Sequence, residues 1–158
     1  MSQPSVLSLV KDTGIETPCR GSEAVSQGVR VRVTPIFEPD HSDPYERRYI
    51  FSYSIRITNE RDDAVQLLSR RWTIINAHGD CHDVQGDGVV GRQPILQPGA
   101  AFEYQSYCPL TTPWGTMEGA YGFVLNPSPT QGDALGQSGP HDFEATIDRF
   151  YLVAPEDA

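Results

Sequence analysis

Residues 49–58 alternate apolar and polar side chains, the strongest regularity in the sequence. The apolar positions are Tyr49, Phe51, Tyr53, Ile55 and Ile57. Because successive side chains of a strand point to opposite faces, this spacing predicts a β-strand with one buried face. No segment of the chain shows a sustained helical period, so the alternation constrains the fold to the all-β class.

Shorter β-like segments follow the same pattern and are separated by turn-forming residues. We place these strands at residues 29–33, 64–69, 72–77, 81–85, 102–108, 115–125 and 143–153. About seven or eight short strands at this spacing predict a two-sheet antiparallel sandwich. We take the nine aromatic residues in or beside these strands as mainly core. They are Tyr49, Phe51, Tyr53, Trp72, Phe102, Tyr104, Phe123, Phe143 and Tyr151.

The domain organisation is simple. We interpret residues 1–28 as an irregular N-terminal extension, residues 29–153 as one sandwich domain and residues 154–158 as a C-terminal tail. Residues 126–140 are rich in Pro, Gly and Ser, and we expect them to form a long, mobile insertion.

Charge and cysteine content exclude several classes of function. The 158-residue chain has 12 Lys and Arg against 21 Asp and Glu, a formal net charge of −9. This balance argues against binding of nucleic acids or anionic membranes. No apolar run is long enough to span a bilayer, and the N-terminus lacks the features of a secretory signal. Cys19, Cys81 and Cys108 form neither a disulfide framework nor a zinc motif, which favours a reducing cytoplasm.

Gly86, Gly88 and Gly91 form a GxGxxG string. In dinucleotide-binding proteins, this string ends a strand and opens a helix whose N-terminus meets the phosphates. Here Pro94 and Pro98 follow too closely for that helix to form. The motif therefore does not predict a Rossmann fold.

Two interpretations of these glycines stay open. The first is structural: bulges, turns with positive φ, or close approach of neighbouring backbone. The second is an anion-binding nest of Gly86, Gly88 and Gly91, in which backbone N–H groups and Arg92 contact a phosphate. Arg70 or Arg71 would contribute if their strand lies alongside, whereas Asp87 would repel an anion.

Metal-competent side chains cluster at His78, Asp80, Cys81, His82 and Asp83. Such a set suits cobalt or zinc when its ligands converge. Strand alternation instead places Cys81 and Asp83 on one face and His82 on the other. We therefore expect a polar hairpin, no tight metal site and no resident cofactor.

No catalytic motif is present in the sequence. Cys108 has no histidine or orienting group near it in the sequence, so we expect a buried, inert thiol. GxSxG, HExxH and P-loop patterns are absent. We therefore predict no catalytic residue.

Trp114 lies between Pro113 and Gly115 in an expected loop. A tryptophan in a loop is a candidate for contact with a partner protein, because such rings contribute strongly at interface centres. The alternative is that Trp114 packs as a lid over the core.

Several separated blocks of sequence resemble the ApaG family, small bacterial domains that are also found in some F-box proteins. The blocks are residues 48–53, 57–59, 65–72, 84–96, 98–99, 102–104, 108–110, 117–119, 143–145 and 150–152, with Tyr121. The resemblance implies a fibronectin type III-like sandwich and an association with cobalt tolerance and magnesium efflux, without a settled molecular activity. The long N-terminal extension and the insertion before His141 depart from the family pattern.

These inferences predict a non-enzymatic module that binds a protein partner or a small ligand. The alternative is a phosphate, pyrophosphate or nucleotide binder that uses residues 86–91 and Arg92, with or without a divalent metal. A hydrolase is a third, weaker hypothesis. Neither the identity of the partner nor self-association into a homo-oligomer follows from the sequence.

Overall fold

The computed structural model describes residues 18–137 and 139–157, which form two packed antiparallel sheets. The strands are β1 (Ser22–Ser26), β2 (Val29–Phe37), β3 (Tyr49–Asn59), β4 (Val65–Asn76), β5 (Cys81–Asp87), β6 (Ile95–Leu96), β7 (Ala101–Leu110), β8 (Trp114–Leu125) and β9 (Phe143–Val153). The predicted two-sheet sandwich is confirmed. No helix within the described residues is long and apolar enough to cross a membrane.

The first sheet has the strand order β1-β2-β3-β7. Its strands β1 and β2 are joined by a two-residue turn in which Gln27 and Gly28 have φ angles of 52° and 82°. Both positive angles are those of a tight hairpin turn. The prediction of an irregular segment up to residue 28 is therefore wrong for β1; residues 1–17 of that segment lie outside the described residues.

The second sheet has the order β5-β4-β8-β9, with β6 also paired to β4. Strand β4 runs unbroken through Arg70 and Arg71, with a bulge between Leu67 and Ser69. The expectation of two strands separated by the two arginines is wrong, because the two side chains point to opposite faces of one continuous strand.

Aromatic side chains join the two sheets. The ring of Tyr53 on β3 lies 5.5 Å from that of Trp72 on β4 and 5.7 Å from that of Phe150 on β9, centroid to centroid. Phe51 and Phe123 are fully buried nearby. Rings packed edge to face stabilise a core beyond the area that they bury.

Tyr151 is an exception among the aromatic residues that we assigned to the core. It is exposed on β9, whereas Phe150 and Leu152 on either side are buried. The period of two in a strand explains this difference, because neighbours in sequence face opposite sides.

The sandwich is closed along one side only. At β1 and β9, Arg20 and Tyr151 exchange backbone hydrogen bonds of 3.0 and 2.8 Å. Ser22 Oγ donates to the carbonyl of Asp148, and the Thr146 N–H donates to Ser26 Oγ. On the opposite side, β5 and β7 are edge strands, and no described strand pairs with their outer edges.

The insertion at residues 126–140 is bound to the sandwich rather than detached from it. Fully buried Gln93 donates from Nε2 to the carbonyls of Leu68 and Gln137 and accepts from the Gln137 N–H. Fully buried Gln66 donates to the carbonyl of Gly132. Buried amides need such partners, so these bonds hold the insertion against β4. The expectation of a mobile insertion missed these contacts.

Candidate functional site

The open side of the sandwich forms a groove between β5 and β7. It has a volume of about 680 Å³ and continues into a smaller space of about 320 Å³. We call it the β5–β7 groove, and its main lining residues are Tyr53, Arg70, Trp72, His82, Val84 and Ser106. The smaller space ends at Val90 and Leu135, the latter supplied by the insertion.

The groove exists because β5 extends beyond the first sheet. Val84 on β5 is the cross-strand neighbour of Trp72 on β4, so both side chains point to the interior side of the sheet. Trp72 is 5% exposed, but Val84 is 40% exposed. The described part of the first sheet therefore ends before it covers β5.

Arg70 places a positive charge in the groove. Alternation along β4 directs it to the same side as Trp72. Its Nη1 donates to the carbonyls of Asp87 and Gly88 at 2.9 and 2.8 Å. No described carboxylate forms an ion pair with it, in contrast to Arg71, which pairs with Glu144 at 2.9 Å on the outer face. Arg70 thus has no described carboxylate partner, and the two carbonyl bonds use only its Nη1 atom.

Gly86 makes room for this guanidinium. It is the cross-strand neighbour of Arg70, and a Cβ atom there would collide with the guanidinium group. The hypothesis that Arg70 would reach the glycine segment agrees with this geometry, whereas Arg71 points away. The first glycine of the GxGxxG string thus accommodates an arginine of the neighbouring strand.

The second and third glycines shape a tight turn. Val89 and Arg92 exchange backbone hydrogen bonds of 2.8 and 2.9 Å, and the Gly88 N–H donates to the carbonyl of Leu68. Val90 and Gly91, the two central residues of the turn, have φ angles of 42° and 80°. Gly88 itself has a φ of 62°. All three glycines therefore have structural roles.

The anion-nest prediction requires free N–H groups and a free Arg92. The N–H groups of Gly88, Val89 and Arg92 are already bonded to carbonyls. The Arg92 side chain pairs with Asp133 at 2.7 Å and lies over the Phe102 ring. A phosphate at this turn would compete with these contacts. The anion nest stays a prediction, which titration with pyrophosphate tests.

The predicted polar hairpin at residues 78–83 does not gather its metal-competent groups. Asn76 accepts from the N–H groups of His78 and Asp80, and the side chain of Asp83 accepts from Thr73. Among the residues that the structure describes, no group of three or more His, Cys, Asp or Glu side chains is arranged to hold a metal ion. Of this cluster, Asp80 and His82 line the groove, with His82 on the same face of β5 as Val84.

Burial raises the pKa of two groove-lining residues, Cys108 and Tyr104, and of Tyr121, which is bonded to Tyr104. Burial raises the pKa of the Cys108 thiol to about 12, so it stays protonated near pH 7. Burial likewise raises the pKa of Tyr104 and of Tyr121, whose hydroxyls hydrogen-bond to each other. A thiol with a raised pKa is a poor nucleophile, in agreement with the expectation of an inert Cys108.

Trp114 is the first residue of β8 rather than part of a loop. It is 46% exposed and pairs with Val153 on β9, the edge strand of the second sheet that lies farthest from β5. The structure therefore does not bring Trp114 together with the glycine segment. Its assignment as a partner contact stays a prediction.

The groove and the glycine turn lie on a fold with known relatives. An ApaG domain model matches residues 39–125. The chain belongs to the ApaG family. The Protein ApaG of Anaeromyxobacter sp. (strain K) is 45% identical over 134 residues, covering 85% of this chain and 96% of the relative. That of Methylobacterium sp. (strain 4-46) is 47% identical over 133 residues, covering 84% and 93%.

A solved structure of a similar protein has the same fold. The ApaA protein from Bordetella pertussis is 41% identical and superposes with a TM-score of 0.69, covering 81% of this chain and 94% of that one. The similarity to these relatives thus extends over most of the described sandwich.

The groove itself was missed by sequence reasoning. One available signal was the alternation Arg70, Trp72, Ile74, which predicts an arginine on the core-facing side of a strand. The other half of the site, the uncovered interior face of β5, depends on strand order across two sheets.

Proposed function

We propose that this ApaG-family protein is a non-enzymatic binding module and that the β5–β7 groove receives its partner. The observation that supports this most is the exposed interior face of β5, where Val84 remains 40% exposed beside the buried Trp72. Apolar residues on the core-facing side of a sandwich strand are normally covered. A bound partner would cover them.

The chemistry of the groove supports binding rather than catalysis. Cys108 and the tyrosine pair hold their protons, as their raised pKa values require. Arg70 is bonded to two backbone carbonyls, and no hydrogen bond among the described residues joins it to a candidate base or nucleophile. Catalysis of acyl or phosphoryl transfer needs such a pair of groups in contact.

Site-specific photocrosslinking in cells tests this proposal. A photoreactive side chain at Val84 should capture a defined protein, and the same side chain at Val25 should not. Val25 is a matched control, because it is also a valine on an edge strand and is 49% exposed, but on the closed side of the sandwich. Equal capture at both positions would contradict the proposal.

The second candidate is a phosphate or pyrophosphate binder at Gly86, Gly88, Gly91 and Arg92. It would have to displace the Arg92–Asp133 pair and the bonded N–H groups of the turn. Titration with inorganic pyrophosphate separates the two candidates. Stoichiometric binding that is lost in Arg92→Gln would favour this second candidate.

The resemblance also implies an association with cobalt tolerance and magnesium efflux. A binding module would affect these processes indirectly, through the protein that it binds. The described residues hold no cluster of three or more metal-competent groups. We expect cobalt to bind weakly in calorimetry. A tight stoichiometric site that is abolished by His82→Ala would instead make the metal a direct ligand.

A further inference from the structure

We propose that the occupant of the β5–β7 groove is an extended peptide segment that pairs with the free edge of β7 and places one carboxylate on Arg70. This inference rests on the proposed function and specifies its ligand. Three features support it: the open edge of β7, the space opposite β5 and the charge of Arg70.

The first feature is the edge of β7. This strand has ten residues, Ala101–Leu110, and pairs on one side with β3. Alternate N–H and C=O groups of an antiparallel edge strand point outward and are available to another chain. A peptide that adds a strand would satisfy them, a recurrent mode of peptide recognition.

The second feature is the space that such a strand would fill. A fifth strand beside β7 would lie over the interior face of β5, where Val84 and His82 are now exposed. On the β7 side, the inward-facing Cys108 and Leu110 line the same groove. A paired strand would therefore gain both backbone hydrogen bonds and apolar contact.

The third feature is Arg70. It borders both parts of the groove, in each of which Ser106 of β7 lies across from it. Ser106 is on the inward face of β7, so a peptide residue beside it would also point inward, towards Arg70. A carboxylate is the side-chain group that complements a guanidinium with spare donors.

Charge also limits the peptide. Asp80 and Asp87 border the groove, and the whole chain carries a formal net charge of −9. A run of acidic residues would be repelled by this field. The structure thus favours one carboxylate within an otherwise apolar or basic strand.

Selection from a display library of random nine-residue peptides tests the proposal with the full-length chain. Peptides selected on the wild type should share one Asp or Glu at a fixed position, with apolar residues at alternate positions around it. Changing that Asp or Glu in the peptide to Asn or Gln should weaken binding about tenfold or more, because a charged hydrogen bond is lost. This change leaves the protein untouched, so misfolding cannot explain the result.

Protein variants identify the partner of the carboxylate. Arg70→Gln should lose most of the preference for the acidic peptide over its amide form. Arg71→Gln is the matched control, because Arg71 is adjacent but faces the other side, and it should keep the preference. An unchanged preference in Arg70→Gln would overturn the proposal.

Methylation of peptide amides tests strand pairing. N-methyl groups placed along the peptide should weaken binding at every second position, since alternate amides face β7. Equal effects at all positions would overturn the pairing.

Peptides that bind without an acidic preference would overturn this inference but not the proposal of a binding module. A groove filled by a second copy of the chain, seen as dimerisation that Val84→Glu abolishes, would also overturn it. Failure to select any peptide would overturn this inference, and absence of capture at Val84 as well would overturn the proposed function with it.

Discussion

A Cβ atom at position 86 would lie 2.8 Å from Nη2 of Arg70, so Gly86 and the Arg70 guanidinium occupy complementary space across the β4–β5 pair. The glycine lets the guanidinium lie over the strand and bond to the carbonyls of Asp87 and Gly88. The first glycine of the GxGxxG string thus leaves space for the charged side chain of a residue on the neighbouring strand.

This relationship predicts that Gly86→Ala changes the free energy of unfolding in opposite directions with and without the Arg70 side chain. Gly86→Ala should destabilise the wild type, because the guanidinium must move and its two carbonyl bonds weaken. In the Arg70→Ala background the same substitution should stabilise the fold by about 0.5 kcal/mol, because alanine costs less conformational entropy than glycine in a strand. Urea denaturation of the four proteins measures both effects. The same sign in both backgrounds would contradict the relationship.

Gly88 and Gly91 should differ in their tolerance of alanine. Both have positive φ, so each substitution should cost about 1 kcal/mol in backbone strain. A Cβ at Gly88 would also lie 2.1 Å from the carbonyl oxygen of Arg92, whereas that at Gly91 meets nothing within 4 Å. Gly88→Ala should therefore have the lower Tm. Equal melting temperatures would show that the backbone at Gly88 yields easily.

Val90→Asn should stabilise the protein. Val90 is β-branched with a φ of 42° and is 56% exposed, so it bears backbone strain and buries little area. Asn followed by Gly91 suits this turn, and we expect a gain of about 1 kcal/mol in the free energy of unfolding. Val90→Thr keeps the branched Cβ and serves as the control, with little gain expected. Because Val90 borders the groove, the Asn variant should bind the selected peptides more weakly.

Trp114→Ala should change stability by less than about 1 kcal/mol, because Trp114 is 46% exposed at the start of β8 and lies outside the buried core. If Trp114 contacts a protein partner, capture of that partner should weaken. Thermal melting and photocrosslinking from Val84 in the variant measure the two effects. Unfolding of the domain would instead make Trp114 part of the core.

Stability should fall at alkaline pH. The Cys108 thiol has a pKa of about 12 when folded against an ordinary value of 9.0, because of burial. The unfolded chain therefore loses this proton first, so stability is full below pH 9 and declines as the pH rises from about 9 to 12. Tyr104 and Tyr121 act in the same direction above their ordinary value of 10.0. Cys108→Val should reduce the loss between pH 9 and 10, as followed by urea denaturation.

The sequence predicted strands best where alternation was strong and both faces were distinct. The predicted bounds of β9 agree with Phe143–Val153, and those of β3 differ only at its end. Strand β1 was missed, because its five residues are short and lack a buried face. Strand β4 was divided, because Arg70 and Arg71 were interpreted as a break although they occupy opposite faces.

The sequence predicted some local features of the site but not the groove. A turn with positive φ was one of two interpretations of the glycines, and Arg70 was expected near them, as an alternative to Arg71, only if the strands were neighbours. The groove depends on which strands end each sheet, and that order is fixed by contacts between residues far apart in sequence, such as Tyr53 with Trp72 and Phe150. Period and spacing carry no information on such contacts.

The closed side of the sandwich is formed by the first and last strands, where Arg20 meets Tyr151. The exposed Val25 of β1 therefore lies on the side away from β5 and β7. A surface linker attached through Val25 would leave the β5–β7 groove facing solution, so the protein can be immobilised for binding measurements without blocking that groove.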